Sequence, residues 1–268
     1  MKIRKYWQIA KISWSNGLAY RLNLVMWRVR VVVQMLAGYF LWMAVFNRNQ
    51  VAFGYNQAQM LTYVLGGALI RTLVLSQRSV DVQVEISSGD LNNYLVKPIN
   101  YFRYWLARDG ADKLLNAVFG VGELAVLVIL LRPPILGPVG GQNLAGLLAM
   151  IVGAMMMYFY LSLLVSMTTF WYPEQNGWPQ RFLIFMILEF LAGGLFPLDI
   201  LPEPVLAVVK WLPTSYLVFI PMQVYLGRVS GQELAVSLLI MLAWVGILKQ
   251  LAQMVFKRGL RIYEAYGR

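Results

Sequence analysis

The chain contains neither cysteine nor histidine. Without cysteine there is no disulfide, no thiolate nucleophile and no iron–sulfur ligation; without histidine there is no zinc-protease motif, no imidazole-bound haem and no Ser-His-Asp triad. Charge is scarce too. Asp, Glu, Lys and Arg make up only 13% of the 268 residues, less than the surface of a soluble domain carries. What fills the chain instead is apolar sequence, 59% hydrophobic with a mean hydropathy of +0.60, so lipid is the solvent for most of it. The opening "MKIRKYWQIAKISWSNG" has no continuous apolar core and no small-residue cleavage site, and the first spanning helix is expected to act as the targeting signal.

The net charge is +11, but the bases are scattered between apolar runs rather than gathered on one face with interleaved aromatics. They read as topology signals, and no nucleic-acid partner is expected. A bilayer core takes about 20 apolar residues as a helix. On that measure the sequence predicts an all-α integral membrane protein with six transmembrane helices, at 24–46, 58–77, 111–131, 143–170, 181–198 and 233–256. With the N-terminus inside, the basic residues lie at or near the cytoplasmic face except Arg48, Arg132, Lys210 and Arg228, which fall outside, and Arg71, which falls within a span. Both termini are therefore expected in the cytoplasm.

Residues 197–227, "PLDILPEPVLAVVKWLPTSYLVFIPMQVYLG", are apolar enough to suggest a seventh span, but Pro202, Pro204, Pro213 and Pro221 cut them into pieces too short to cross. The expectation is an outer re-entrant helical hairpin, entered through Gly193, Gly194 and Pro197 and broken at Pro202 and Pro213, with its irregular backbone buried against protein. At the other end, Ile3, Trp7, Ala10, Trp14 and Leu18 share one helical face while Lys2, Arg4, Lys5 and Lys11 lie mostly off it. That pattern predicts an interfacial helix over 1–20, the alternative being a charged flank of the first span.

Glu123, Glu189 and Arg71 are the ionisable residues deepest in apolar sequence. Such groups are costly unless paired or hydrated. They either serve an ion-coupled carrier or lock helices together through a pair between Arg71 and one of the acids. Ser162, Ser166, Thr168 and Thr169 read as packing hydrogen bonds, and the glycines at 66–67, 120, 122 and 193–194 as close helix contacts. "GVGELA" is not a phosphate loop, since it lies inside a span with no Lys-Ser or Lys-Thr after it. No catalytic residue, metal site or nucleotide site is expected in this chain.

One stretch is polar where its neighbours are not. "EISSGDLNNYLVKPIN", 85–100, sits in a cytoplasmic segment, 79–104, that predicts a short helix to Ser87, a turn at Gly89, a restart with Asp90 as N-cap and an end before Pro98. Its apolar residues Leu91, Tyr94 and Leu95 suit a groove on a soluble partner, with Glu85, Asp90 and Lys97 at the rim.

An acid, then Gly and a small residue, then a Leu-rich turn and Lys-Pro resembles the coupling element of ABC-2 type exporter permeases. "EISSGDLNNYLVKPI" is especially similar to those of bacterial systems. The segments "GGLFPLDILP" and "WLPTSY" and the basic tail "KRGLRIYEAYG" extend the likeness over the whole chain, 1–268, as a single transmembrane domain. The resemblance implies a multi-pass protein of the bacterial inner membrane, paired with a second permease, identical or paralogous. Two cytosolic ABC ATPase subunits would hold the ATP and Mg and drive a hydrophobic or amphipathic substrate (lipid, drug or peptide) outward. Many ABC-2 permeases for polysaccharides line a channel with aromatic rows, whereas here the aromatics cluster at span ends. The competing readings are an ion-coupled secondary transporter using Glu123, Glu189 and Arg71, for which no matched pair of broken helices is seen, and a membrane protein that transmits ATPase work without transport.

Overall fold

Apolar runs form the long helices here, and the glycines within them do not interrupt them. The computed structural model describes residues 2–48, 50–137, 141–173 and 178–265. The side chain of Ile3, first in the expected N-terminal stripe, and residues 266–268 of the basic tail lie outside the described residues. In chain order the elements are α1 (Lys2–Ala19), α2 (Arg21–Phe46), a hairpin of β1 (Val51–Ala52) and β2 (Tyr55–Asn56), α3 (Gln57–Val74), α4 (Val80–Ser88), α5 (Asn92–Leu95), α6 (Tyr101–Leu131), α7 (Gly141–Met167), α8 (Trp178–Leu191), α9 (Glu203–Val209), α10 (Phe219–Tyr225) and α11 (Gly231–Ala265).

Among the described residues, four helices are long and apolar enough to cross a membrane: Arg21–Phe46, Tyr101–Leu131, Leu144–Phe170 and Gly231–Tyr263. The other two expected spans are shorter. α3 has 18 residues and α8 has 14, about 27 and 21 Å against a hydrocarbon core of about 30 Å. The expected fifth span, 181–198, is thus corrected at its C-terminal end. Its helix stops at Leu191, after which Gly193 takes φ +73°, a left-handed conformation that ends helices. The Gly193 carbonyl accepts the Tyr63 hydroxyl at 2.7 Å, and a Cβ there would lie 2.9 Å from that of Phe219, so the turn is pinned as well as permitted.

Packing explains why α3 tolerates Arg71. Its residues are buried almost all round (Met60, Leu61, Tyr63, Leu65, Ile70, Val74), whereas α2, α6 and α11 keep broad apolar faces outward, such as Val29, Val33 and Leu41 on α2 or Leu239 and Leu242 on α11. A helix that meets protein instead of lipid need not be uniformly apolar. α2 runs antiparallel to it, with Gly38 against Val64 and Gln34 on Arg71; α6 does likewise, with Gly120 against Leu69 and Lys113 on the Val74 carbonyl. α7 and α11 run parallel, Gly146 receiving Leu234, Gly153 receiving Met241 and Gly259 receiving Phe170. Small residues at such crossings let apolar helices approach closely.

The bundle therefore has two distinct ends. At one lie α1, α4, α5, the start of α6 and the end of α11, with Tyr263 beside Gly89 and Phe256 stacked on Tyr101 at 5.3 Å. At the other lie the β-hairpin and residues 197–229, where Asp199 and Arg228 meet at 3.5 Å. The two ends of the proline-rich segment are thus brought together. The hairpin turn takes φ 55° at Phe53 and 74° at Gly54, the positive pair that tight hairpins use. With phenylalanine in the first of those positions, the turn carries no Asn-Gly or Asp-Gly signature.

α1 runs beside the first half of α6, from Tyr6, whose hydroxyl accepts the Asn100 N–H at 3.4 Å, to Gly17 against Leu115. The half-buried face carries Tyr6, Ala10, Ser13 and Gly17, while Trp7 and Leu18 of the expected stripe are exposed. Ala10 and Trp14 of the expected stripe are also half-buried, so the packed face overlaps the stripe in its middle and departs from it at Trp7 and Leu18.

Candidate partner-docking site

The polar stretch folds as two short helices at a turn, close to the sequence expectation. α4 ends at Gly89, φ +86°, and α5 ends at Leu95, before Pro98. Asn100 then caps α6, its side chain accepting the Arg103 N–H at 3.0 Å. Asp90 is not an N-cap. Its carboxylate accepts instead from the Ser88 hydroxyl at 2.8 Å and the Asn93 amide at 3.4 Å, fixing the turn from the side.

Of the eight residues of the expected ATPase-coupling element, Glu85, Gly89, Asp90, Leu91, Tyr94, Leu95, Lys97 and Pro98, the six with anchoring or rim side chains divide sharply. Leu91 is wholly buried within the chain, so it is not a free anchor but the nail that holds the turn down. Glu85 is also buried rather than at a rim: it accepts the Tyr101 hydroxyl at 2.8 Å and faces Arg108 at 4.0 Å. Burial pushes its carboxyl above the usual carboxylate range, against the opposing pull of the Tyr101 and Tyr94 hydroxyls and Arg108. Tyr94 is half-buried, its hydroxyl 3.3 Å from that of Tyr104, its ring under the Lys97 ammonium at 5.2 Å. Burial and the Tyr104 contact hold its phenol well above the ordinary value. What stays outward is the tip, with Leu95 42% and Val96 83% exposed and Lys97 and Asp90 beside them. Val96, the most exposed apolar side chain here, was passed over in the sequence because no periodicity singles it out.

Between α4 and this tip lies a cleft of about 570 Å³ bordered by Asp81, Glu85, Asp90, Tyr94, Lys97 and Arg108. Arg108 closes its inner wall, paired to Asp81 at 3.1 Å and laid on the Trp105 ring at 4.4 Å. On the other side α4 is tied by neutral groups and one guanidinium. Arg181 donates to Ser166 Oγ at 2.6 Å, Ser162 Oγ at 3.2 Å and Gln83 Oε1 at 3.5 Å, while Ser162 also contacts Ser79 and Gln77. The serines read as packing bonds in the sequence are thus the cradle of a buried arginine. One more tie lies beneath: the Lys113 ammonium caps α3 through the Val74 and Ser76 carbonyls at 2.8 and 2.7 Å and pairs with Asp109 at 3.5 Å.

The intramembrane candidates separate in the same way. Arg71 pairs with Glu189, as a helix lock requires, and also donates to Gln34 at 2.5 Å; Gly194 packs on its Cδ. Glu123 is elsewhere, 3.7 Å from Arg28 on α2, a residue the sequence assigned to topology alone. At the opposite end Pro197 begins the 3-10 turn Leu198–Ile200, Pro202 precedes α9 and Pro213 opens a second turn, Pro213–Tyr216. There Asp199 accepts from the Tyr55 hydroxyl at 2.6 Å and the Gln223 amide at 3.2 Å, and Arg228 lies on the Tyr55 ring at 3.6 Å. Burial first, then Asp199, pushes the Tyr55 phenol above its usual range. Among the described residues no cluster of acids suits a metal ion.

Four long apolar helices with broad outward apolar faces define an integral membrane component, with a small exposed tip at one end of the bundle. The sequence profile of the ABC-2 family transporter protein matches residues 32–267, and the chain belongs to that family. It is a multi-pass membrane protein and the permease component of an ABC transporter, a class that works with an ABC ATPase held in a separate subunit. Comparison with curated proteins gives no match.

Proposed function

We propose that this chain is the permease of an ABC exporter in the bacterial inner membrane, and that its ATPase docks on the tip formed by Leu95, Val96 and Lys97. The observation that carries this reading is the contrast within the segment. Leu91 and Glu85 are locked inside while Leu95 and Val96 project from a base tied to α6, α7, α8 and α11. Apolar side chains held outward on a stiff mount make anchors, and the neighbouring charges Asp90 and Lys97 set orientation. Motion of the ATPase would pass through α4 into the bundle.

In this reading the chain crosses six times, α3 and α8 completing the four long helices. Support comes from the alternation of directions and from the meeting of Asp199 with Arg228, which lets 197–227 return to the outer face without crossing. Both termini are cytoplasmic, and α1 lies at the inner interface. Two permeases, identical or paralogous, assemble with two ATPase subunits that hold ATP and Mg, and the cargo is a hydrophobic or amphipathic molecule moved outward. An ion-coupled carrier is less well supported, since Arg71 and Glu189 neutralise each other.

The test is co-purification of the ATPase with Leu95→Asp and Val96→Asp permeases, together with ATP turnover. Both substitutions place a charge in the contact, so the complex and its turnover should be lost while the permease alone melts as before. A retained complex with full turnover would overturn the docking assignment. Topology is tested separately by single cysteines at 199 and 228, both of which should react with an impermeant thiol reagent from outside.

A further inference from the structure

Among the described residues, Arg71 pairs with Glu189 and Arg28 with Glu123 between helices of the bundle, and of these two pairs only the first is hydrogen-bonded. The Arg71 guanidinium is bonded to Glu189 and to Gln34. In the other pair, Arg28 and Glu123 stand 3.7 Å apart with side chains only 15% and 12% exposed. Arg28 Nε and Nη1 and both Glu123 carboxylate oxygens are buried and make no hydrogen bond. The one bond nearby runs from Arg28 Nη2 to Asn116 Oδ1 at 2.5 Å. Buried polar atoms are almost always bonded, and an ionised group left unbonded in apolar surroundings is costly.

The position of the pair limits what completes it. It sits in the seam between α2 and α6, and the side chains flanking it on both helices are apolar and outward: Val25, Met26 and Val29 on one, Val118 and Val121 on the other. A molecule approaching along that surface has hydrocarbon chains. An anion offered to Arg28 alone would face the Glu123 carboxylate, and a cation offered to Glu123 alone would face the Arg28 guanidinium across the 3.7 Å gap, so a polar end carrying both charges matches the pair. A molecule carrying both also adds no net charge to a low-dielectric site.

We propose that the α2–α6 seam at Arg28, Asn116 and Glu123 binds a zwitterionic amphiphile in which a phosphate and a primary ammonium are joined at short range. The phosphate takes the free Arg28 N–H groups, the ammonium takes the Glu123 oxygens, and the acyl chains lie along Val25, Val29, Val118 and Val121. The inference rests on the permease reading only for the step from binding to passage, where it names the substrate class.

The test is native mass spectrometry of the full-length chain in detergent, without ATPase, given equal amounts of phosphatidylethanolamine, phosphatidylcholine and phosphatidylglycerol with identical acyl chains. Phosphatidylcholine lacks the N–H donor and phosphatidylglycerol lacks the ammonium. Retention of phosphatidylethanolamine should exceed that of the other two by about tenfold, the loss of one charge-assisted hydrogen bond. Glu123→Gln and Arg28→Gln should each abolish the preference. Equal retention of the three lipids by the unaltered chain overturns the proposal even if the variants fold poorly, as does a preference that survives both substitutions. Because no ATPase is present, either result is separate from the fate of the docking assignment.

Discussion

The two ends of the bundle hold themselves together differently. At the docking end α4 is gripped on several sides at once: by Arg108 and Tyr101 of α6, by Arg181 through the serines of α7, and by Tyr263 of α11 beneath Gly89. At the opposite end the hairpin, the 197–201 turn, α10 and the link from α10 to α11 converge on one carboxylate, Asp199, which serves Tyr55, Gln223 and Arg228. Redundant ties resist the loss of any one, whereas a hub fails when its centre is removed. In the proposed reading, the first end would transmit force without deforming and the second would part to release cargo.

The sharpest way to break the comparison is to attack the docking end from inside. Leu91→Asp places a charge where the side chain has no exposure, and should cost at least about 3 kcal/mol, visible as a large fall in melting temperature and expression. Leu95→Asp, four residues on, should leave melting unchanged while abolishing ATPase capture. If the two variants behaved alike, the division of the segment into nail and tip would be wrong.

Next in size is the hub. Asp199→Asn keeps the shape but leaves Arg228 without its counter-charge, and should cost about 1–3 kcal/mol in thermal or denaturant unfolding. Arg181→Gln, by contrast, should cost less than removal of a salt-bridged arginine, because its described partners are neutral and can rebond to glutamine. A larger loss for Arg181→Gln than for Asp199→Asn would reverse the ranking of the two ends.

Smaller still is a pH effect. The folded Glu85 carboxyl titrates above its ordinary value of 4.5 because it is buried, so the protonated form favours the folded segment. Its contribution is fully present below 4.5 and is lost as pH rises through the raised folded value. Hydrogen exchange of the α4 amides should therefore quicken over that window beyond the intrinsic trend, and Glu85→Gln should remove the excess. Least of all, Lys97→Ala should change stability by no more than about 0.5 kcal/mol, its ammonium being exposed over Tyr94.

Much of this is legible in the sequence. Proline spacing announced that 197–227 could not continue as one helix, and Gly89 announced a turn, because both residues act through their own backbone. Apolar length found α2, α6, α7 and α11 directly. What escaped were features decided by distant partners. Glu85 and Leu91 look exposed in a polar stretch, yet Tyr101 and Arg108, beyond the turn, fold back to cover the acid. Arg28 and Arg181 look like topology charges until Glu123 and the α7 serines meet them. The helix end at Leu191 was missed because Phe196 to Leu198 continue an apolar run past Gly193, and hydropathy does not register a positive φ.

The length of α11 has a practical side. Its 35 residues extend about 52 Å, well past a hydrocarbon core of about 30 Å, and its last turn rests on the docking turn through Tyr263. A polypeptide joined after Ala265 therefore emerges next to the place where the ATPase is proposed to sit, and a linker of about ten residues, reaching about 33 Å, would already hold a fused ATPase domain at millimolar effective concentration. A single-chain permease–ATPase is accordingly a realistic reagent, with the tether starting at the foot of the last helix rather than at any loop.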